Sequence, residues 1–125
     1  MLLVDVNNLK QVNDSLGHLA GDAVLRRISQ VLRSACRVSD IVARFAGDEF
    51  MAVLPGTTRE AAQALVARVM SLLKNETLQI GDQAVRLEVA IGVASFPDDG
   101  HDARTLFAAA DADLYSKKPS RPAGA

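Results

Sequence analysis

The stretch DIVARFAGDEFMAVLP, residues 40–55, predicts a β-hairpin with two acidic residues at its tip. The runs DIVARF and FMAVLP are rich in β-favouring residues, and they flank the short segment AGDE. Asp48 and Glu49 are ordinary turn residues when each is taken alone. A metal or phosphate site would use the same residue types next to a glycine, so both interpretations stay open at this point.

The segments around the hairpin predict an α+β domain. Before it come a strand, LLVDV, a short helix closed by Gly17, and a longer helix over residues 22–35. After it, Thr58 caps a helix from residue 59 to about residue 74, two strands surround the turn GD at residues 81–82, and Asp102 caps a last helix. This order matches the split βαβ pattern, in which helices cover one face of a sheet.

The composition indicates one folded domain without a strong charge bias. The chain has 125 residues, of which 49% are apolar and 23% charged, and its formal net charge is -1, so nucleic acid is not an expected partner. Cys36 is the only cysteine, which excludes an internal disulfide and favours a cytoplasmic location, although the parent protein can still be membrane-anchored. Because the chain opens with the strand-like residues LLV, we expect a further segment to precede Met1.

The end of the first strand and the hairpin tip together predict a magnesium site. If the two are neighbours in the sheet, Asp5 and one hairpin carboxylate meet at the same rim, which is costly unless a cation lies between them. Mg²⁺ binds one or two carboxylates and leaves its other positions to water and substrate phosphates. The alternative is that Asp5 caps the helix that follows, and this would need no metal.

Three polar residues after the first strand are suited to contact a nucleotide. Lys10 lies about one turn beyond the strand, within reach of a phosphate. Asn13 and Asp22 offer the donor and acceptor groups that match the edge of a guanine base. For each of the three, a solvated helix face or a helix cap is the alternative.

The segment DVNNLKQVNDSLGHLAGD, followed by RFAGDEF, resembles the GGDEF domain of diguanylate cyclases in wording and spacing. The match continues through AIGVASFPDDG and AADADLYSKK, so it covers nearly the whole chain. The resemblance implies a nucleotide-cyclase palm, related to the ferredoxin-like fold, with a central, mostly antiparallel five-stranded sheet surrounded by helices. It also implies a domain over residues 1–118. Residues 119–125 are rich in proline and small residues, which predicts a flexible tail.

The same resemblance implies a reaction and its partners. The family condenses two GTP molecules into cyclic di-GMP and releases pyrophosphate, in a homodimer whose subunits each hold one GTP. Mg²⁺ or Mn²⁺ is the implied cofactor, and a sensor or receiver domain is expected in the parent protein. Carried over residue by residue, the resemblance assigns Asp5, the backbone carbonyl of Val6 and Asp48 to the metal. It makes Asp48 and Glu49 the catalytic pair, with Glu49 placed for metal binding or activation of the nucleophile.

The substrate contacts implied by the resemblance lie in four parts of the chain. Asn13 and Asp22 would contact guanine, and Lys10 and Lys118 would hold phosphates. Ala46 and Gly47 would form the turn that lies against the nucleotide.

A second implied site is inhibitory. RVSD, residues 37–40, matches the RxxD pattern that binds the product, with Arg37 and Asp40 as its contacts. Arg68, on the next predicted helix, stands where the family often supplies another arginine. The alternative is that RVSD is a helix end with its cap.

Several residues depart from the pattern of the family. Ala46 replaces the first glycine of the signature, Asn7 stands where a second aspartate is usual, and the tail KKPSRP lacks the usual Gly-Arg-Asn stretch. Ala46, the altered tail and the retained Arg37 and Asp40 favour the alternative function, a degenerate domain that binds cyclic di-GMP or GTP and signals without catalysis.

Overall fold

The computed structural model describes residues 1–118 and confirms the α+β prediction. The predicted tail, residues 119–125, lies outside the described residues. None of the helices within residues 1–118 combines the length and the apolar character needed to span a bilayer. In chain order the elements are β1 (Leu2–Val6), α1 (Leu9–Leu16), α2 (His18–Ala35), β2 (Ile41–Ala46), β3 (Glu49–Val53), α3 (Arg59–Lys74), β4 (Thr77–Ile80), β5 (Gln83–Arg86), β6 (Val89–Val93) and α4 (Ala103–Lys117).

The central sheet of the described residues has four strands, in the order β2-β3-β1-β6, and each neighbouring pair is antiparallel. β4 and β5 form a separate two-stranded hairpin, which turns at Gly81 with a φ of 58°. The expected five-stranded sheet is therefore wrong in its strand count for this part of the chain. The predicted hairpin β2–β3 and the turn GD are both present.

The single strand predicted after the turn GD is two strands in the structure, with a break between β5 and β6. At the break, the backbone N–H of Asn7 donates to the carbonyl of Glu88 over 2.9 Å, and Asn8 Nδ2 donates to the carbonyl of Arg86 over 3.2 Å. These bonds accompany the change of the chain from the separate hairpin to the central sheet. The apolar alternation runs through the break without interruption, since Leu87 and Val89 are both buried, so the sequence carried no signal of it.

Helices cover both faces of the sheet, which confirms the surrounding helices implied by the resemblance, whereas the one covered face expected from the split βαβ pattern is wrong. Leu2 and Val4 of β1 belong to the larger core, which also contains residues of α1, α2 and α3. Leu3 belongs to a second core with Ala110 and Leu114 of α4. Because alternate residues of a strand point to opposite faces, these two cores lie on opposite sides of β1. All five residues of β1 and all five of β6 are accordingly buried.

The helix starts predicted from the sequence agree with the structure, except for that of α2. Thr58 Oγ1 accepts from the N–H of Ala61 over 3.2 Å, and Asp102 Oδ1 accepts from the N–H of Thr105 over 2.8 Å, which confirms both predicted caps. α2 begins at His18, four positions earlier than predicted. Gly17, with a φ of 91°, separates α1 from α2, and the extra turn was missed because its only large apolar residue, Leu19, is exposed.

Candidate nucleotide and metal site

Asp5 and Glu49 lie directly opposite each other on the neighbouring strands β1 and β3. Directly opposed residues of antiparallel strands project from the same face of a sheet, so the two carboxylates share one face at the hairpin rim. Asp5 is only 3% exposed, because β3 flanks it on one side and β6 on the other. The fold therefore places the buried carboxylate of Asp5 next to the half-buried carboxylate of Glu49.

Asp48 lies at the hairpin tip and is exposed. Its backbone carbonyl accepts a hydrogen bond from the N–H of Val6 over 3.0 Å, which fixes the tip against the end of β1. The register places Glu49, and not Asp48, across from Asp5. The use of Asp48 and the Val6 carbonyl as metal ligands stays a prediction.

The charges at the rim interact. Lys118, the residue that follows α4, forms an ion pair with Asp5 through Oδ2. Asp5 Oδ1 is buried and has no hydrogen-bond partner among the described residues. Burial raises the pKa of the Glu49 carboxyl above its usual value, and the negative charges of Asp5 and Asp48 raise it further, while Lys118 acts against them.

The residues at the rim fit a divalent metal ion. Asp5 Oδ1 is a buried carboxylate oxygen to which no group of residues 1–118 donates, and such an oxygen gains from binding a hard cation. Within residues 1–118, no three histidine, cysteine, aspartate or glutamate side chains form a complete metal cluster. Mg²⁺ does not require one, because it commonly keeps several waters and takes substrate phosphates as further ligands.

A cavity of about 460 Å³ opens next to the hairpin tip. Five residues predicted to contact substrate or metal line it, namely Lys10, Asn13, Asp22, Gly47 and Asp48. α1, α2 and the hairpin therefore contribute to one concave surface, and Asp48 is the carboxylate of the hairpin pair that lines it. The volume falls in the range of roughly 300–1,000 Å³ that is usual for small-molecule sites.

Asn13 owes its position to a glycine that sequence reasoning did not single out. A methyl group at Gly21 would overlap Asn13 Oδ1, so the absence of a side chain there makes room for the amide. Asn13 Oδ1 is buried and has no hydrogen-bond partner among the described residues. The signal in the sequence was the glycine next to Asp22 in an otherwise regular helix.

Arg44 is a second residue that the sequence prediction missed. Its Nη2 donates to the carbonyl of Gly47 over 2.8 Å and its Nε to the carbonyl of Ala46 over 3.4 Å, and the residue also lines the cavity. The guanidinium group therefore braces the turn that carries the acidic pair. The available signal was a cation two positions before the turn, on a strand whose other residues are mostly apolar.

Ala46 adopts ordinary backbone geometry. It is the last residue of β2, next to an irregularity in the β2–β3 register, and within residues 1–118 no residue other than glycine has a positive φ. The alanine at this position of the signature therefore needs no glycine conformation. Gly47 also lies outside the left-handed region.

The RVSD segment folds back on itself. Arg37 Nη2 donates to Asp40 Oδ1 over 3.0 Å, and it also donates to the carbonyl of Pro55 and to Thr57 Oγ1, both over 2.8 Å. The hydrogen bond from Arg37 holds the pKa of the Asp40 carboxyl below its usual value. Arg68 is exposed on α3. Arg37 and Asp40 thus meet, and the product-binding role of all three stays a prediction.

Comparison with known proteins gives one consistent family. The family model described as "Diguanylate cyclase, GGDEF domain" matches residues 1–122. Diguanylate cyclase A of Treponema denticola is 31% identical over 118 residues, which cover 94% of this chain and 32% of that protein. Cyclic di-GMP phosphodiesterase NbdA of Pseudomonas aeruginosa is 36% identical over 118 residues, covering 94% of this chain and 15% of that protein. The chain thus spans a third or less of the length of these two relatives.

A solved structure has the same architecture. A sensory box/GGDEF family protein from Caulobacter crescentus superposes with a TM-score of 0.84 at 34% identity, covering 93% of this chain and 75% of that one. The fold described above is therefore the fold of a known domain family.

Proposed function

This chain belongs to the GGDEF domain family, and we propose on that basis that it is a diguanylate cyclase domain. It condenses two GTP molecules into one cyclic di-GMP and releases two pyrophosphates. One observation carries the proposal: Asp5, a buried carboxylate, lies across from Glu49, and the adjoining hairpin-tip residues Gly47 and Asp48 line a cavity of polar side chains suited to a nucleotide. A domain that only binds cyclic di-GMP through Arg37 and Asp40 has no need to keep these groups together.

In this proposal Asp5, the Val6 carbonyl and Asp48 hold Mg²⁺ or Mn²⁺. The metal, when bound, neutralises negative charge on the triphosphate during phosphoryl transfer. The raised pKa of Glu49 suits this side chain to accept the proton of the attacking 3′-hydroxyl, because a base works best when its pKa is near the working pH. Arg44 keeps the turn in place through the carbonyls of Ala46 and Gly47.

The cavity residues bind and orient the nucleotide. Asn13 and Asp22 pair with the guanine edge, while Lys10 and Lys118 attract the phosphates. Gly47 allows the turn to approach the nucleotide closely, since a side chain there is absent.

Two copies of the domain are required for the reaction. Each GTP supplies a 3′-hydroxyl that attacks the α-phosphate of the other, so two loaded sites must face each other in a homodimer. The regulatory input comes from a sensor or receiver domain of the parent protein, and the cytoplasm, which holds GTP, is the expected location. Incubation of the protein with GTP and Mg²⁺, with mass-spectrometric detection of cyclic di-GMP, tests the proposal.

Replacing Gly21 with alanine is expected to weaken GTP binding by about tenfold, because the methyl group displaces Asn13 from the base. The overlapping atom is the end of a side chain, so the fold should survive. Isothermal titration with a non-hydrolysable GTP analogue measures the effect. In an Asn13→Ala background the same Gly21→Ala change should add little, and fully additive effects would contradict this account of Gly21.

A second candidate function is a receptor for cyclic di-GMP, which the preformed contact between Arg37 and Asp40 favours. Under both functions, Arg37→Ala should weaken cyclic di-GMP binding by about tenfold or more, because a charged bidentate donor is lost. If the domain is an enzyme, the progress curve of cyclic di-GMP synthesis by the wild type should level off as product accumulates. The curve of the Arg37→Ala variant should stay linear. Arg104→Ala, a change of an exposed arginine on α4, is the control. If the Arg37 and Arg104 variants bind cyclic di-GMP equally well, the proposed inhibitory site at Arg37 and Asp40 is wrong.

A further inference from the structure

The ammonium group of Lys118 lies against the carboxylate that the proposed function assigns to the metal. The ion pair joins Lys118 Nζ to Asp5 Oδ2, and the two side chains are only 23% and 5% exposed. Ions this far removed from water are costly to leave without a partner, so each one stabilises the other. Lys118 reaches the rim from the end of α4, the helix that covers this face of the sheet.

The positive charge of Lys118 also reduces the repulsion between the carboxylates of Asp5 and Glu49. Asp5 and Glu49 face each other across β1 and β3, and like charges in that arrangement are destabilising. The charge of Lys118 acts favourably on Glu49 as well as on Asp5. One lysine therefore supplies the positive charge that this pair of carboxylates needs.

A metal ion bound at the same carboxylate competes with this lysine. Asp5 Oδ1 is the oxygen without a partner, and Oδ2 is the oxygen that Lys118 contacts. A dication at Oδ1 would be separated from the ammonium group only by one carboxylate, and in a poorly solvated place two such positive charges repel strongly. The metal and the lysine thus favour different arrangements of the rim.

We propose that Lys118 is an internal counter-ion of Asp5, which a divalent metal ion displaces and which then pairs with the triphosphate of the bound nucleotide. This inference rests on the proposed function, since it takes Asp5 as a metal ligand. The triphosphate gives Lys118 another anionic partner, so leaving Asp5 costs less when nucleotide is present. Metal and nucleotide therefore strengthen each other's binding, and by thermodynamic linkage the factor is the same in both directions.

Binding of Mn²⁺ to the full chain tests this coupling, with electron paramagnetic resonance of free Mn²⁺ as the readout. Dissociation constants are measured without nucleotide and with a saturating non-hydrolysable GTP analogue, after correction for Mn²⁺ bound by the analogue alone. In Lys118→Met, the affinity for Mn²⁺ without nucleotide should rise by a factor of about 5 or more, the lower end of typical coupling factors. The gain in Mn²⁺ affinity on adding the analogue should shrink correspondingly.

Three variants separate the possible outcomes. Lys118→Arg keeps the cation and should retain the wild-type coupling. Lys117→Met removes the neighbouring lysine, which pairs with Asp113 instead, and should leave Mn²⁺ affinity unchanged. Asp5→Asn should abolish binding in either condition. If Lys118→Met has the Mn²⁺ affinities of the wild type in both conditions, the inference is overturned. If neither the wild type nor any variant binds Mn²⁺, with or without the analogue, the metal site of the proposed function itself is overturned.

Discussion

Asp5→Asn is expected to lower the initial rate of cyclic di-GMP synthesis by about 10²–10³-fold, the usual loss when one group that stabilises transition-state charge is removed. Asparagine has nearly the shape of aspartate, so the packing between β3 and β6 is kept. The change removes the negative charge at the one rim residue that is both buried and partly without a partner. The rate is measured by mass spectrometry of cyclic di-GMP at saturating GTP and Mg²⁺.

The control for this variant is Asp82→Asn, which makes the same chemical change at the exposed turn between β4 and β5. Circular dichroism on both variants checks that the fold is intact. If Asp5→Asn keeps the rate of the wild type while folded, Asp5 does not bind the metal that the reaction needs.

Gly92→Ala is expected to have the largest effect on stability, a loss of about 3 kcal/mol in the free energy of unfolding. Gly92 lies in the middle of β6, where α4 packs closely on the strand. An added methyl group would overlap the backbone carbonyl of Ala110 and the backbone nitrogen of Leu114. Backbone of a helix cannot move aside as the end of a side chain can, so α4 as a whole has to shift.

Chemical denaturation in urea measures this loss, with the slope of the transition as a check on two-state unfolding. Gly47→Ala is the matched control, because an added methyl group there meets no atom of residues 1–118 within 4 Å and the backbone is outside the left-handed region. Its free energy of unfolding should change by less than about 0.5 kcal/mol. Equal stabilities of the two variants would mean that the packing of α4 on β6 tolerates a side chain.

Local sequence patterns predicted the parts of the fold that depend on local physics. The caps at Thr58 and Asp102 and the hairpin β2–β3 are present as predicted. Each of these features is decided by a few adjacent residues, such as a hydroxyl or carboxylate that accepts from the backbone three positions later. Short-range chemistry of this kind can be read from one sequence.

Local sequence patterns did not predict the features that depend on contacts between distant parts of the chain. At the break between β5 and β6, Asn7 and Asn8 donate hydrogen bonds to residues about eighty positions later in the chain, as the pairs 7–88 and 8–86 show. The split βαβ pattern places all helices on one face and so did not predict that α4 covers the second, which only the resemblance implied. The signal in the sequence was the unbroken apolar run LLV at residues 2–4, which is typical of a strand buried on both faces, as β1 is.

In the candidate site, too, some features could be predicted from the sequence and others required the structure. The residue types at Asp5, Asn13 and Asp22 indicate metal and guanine chemistry through their own side-chain groups, which the sequence alone displays. The contact between Lys118 and Asp5 joins opposite ends of the described chain, and the space that Gly21 leaves for an amide depends on how α1 packs on α2. Such pairings require the tertiary structure.

The rate of cyclic di-GMP formation across a dilution series of the protein tests whether this domain is a diguanylate cyclase that works as a dimer. With saturating GTP and Mg²⁺, we predict that cyclic di-GMP appears and that the rate per molecule of protein falls on dilution, because two loaded subunits must meet. The contradictory result is unchanged GTP at every protein concentration, together with cyclic di-GMP binding that is lost in Arg37→Ala. That result would make the domain a receptor and not a cyclase.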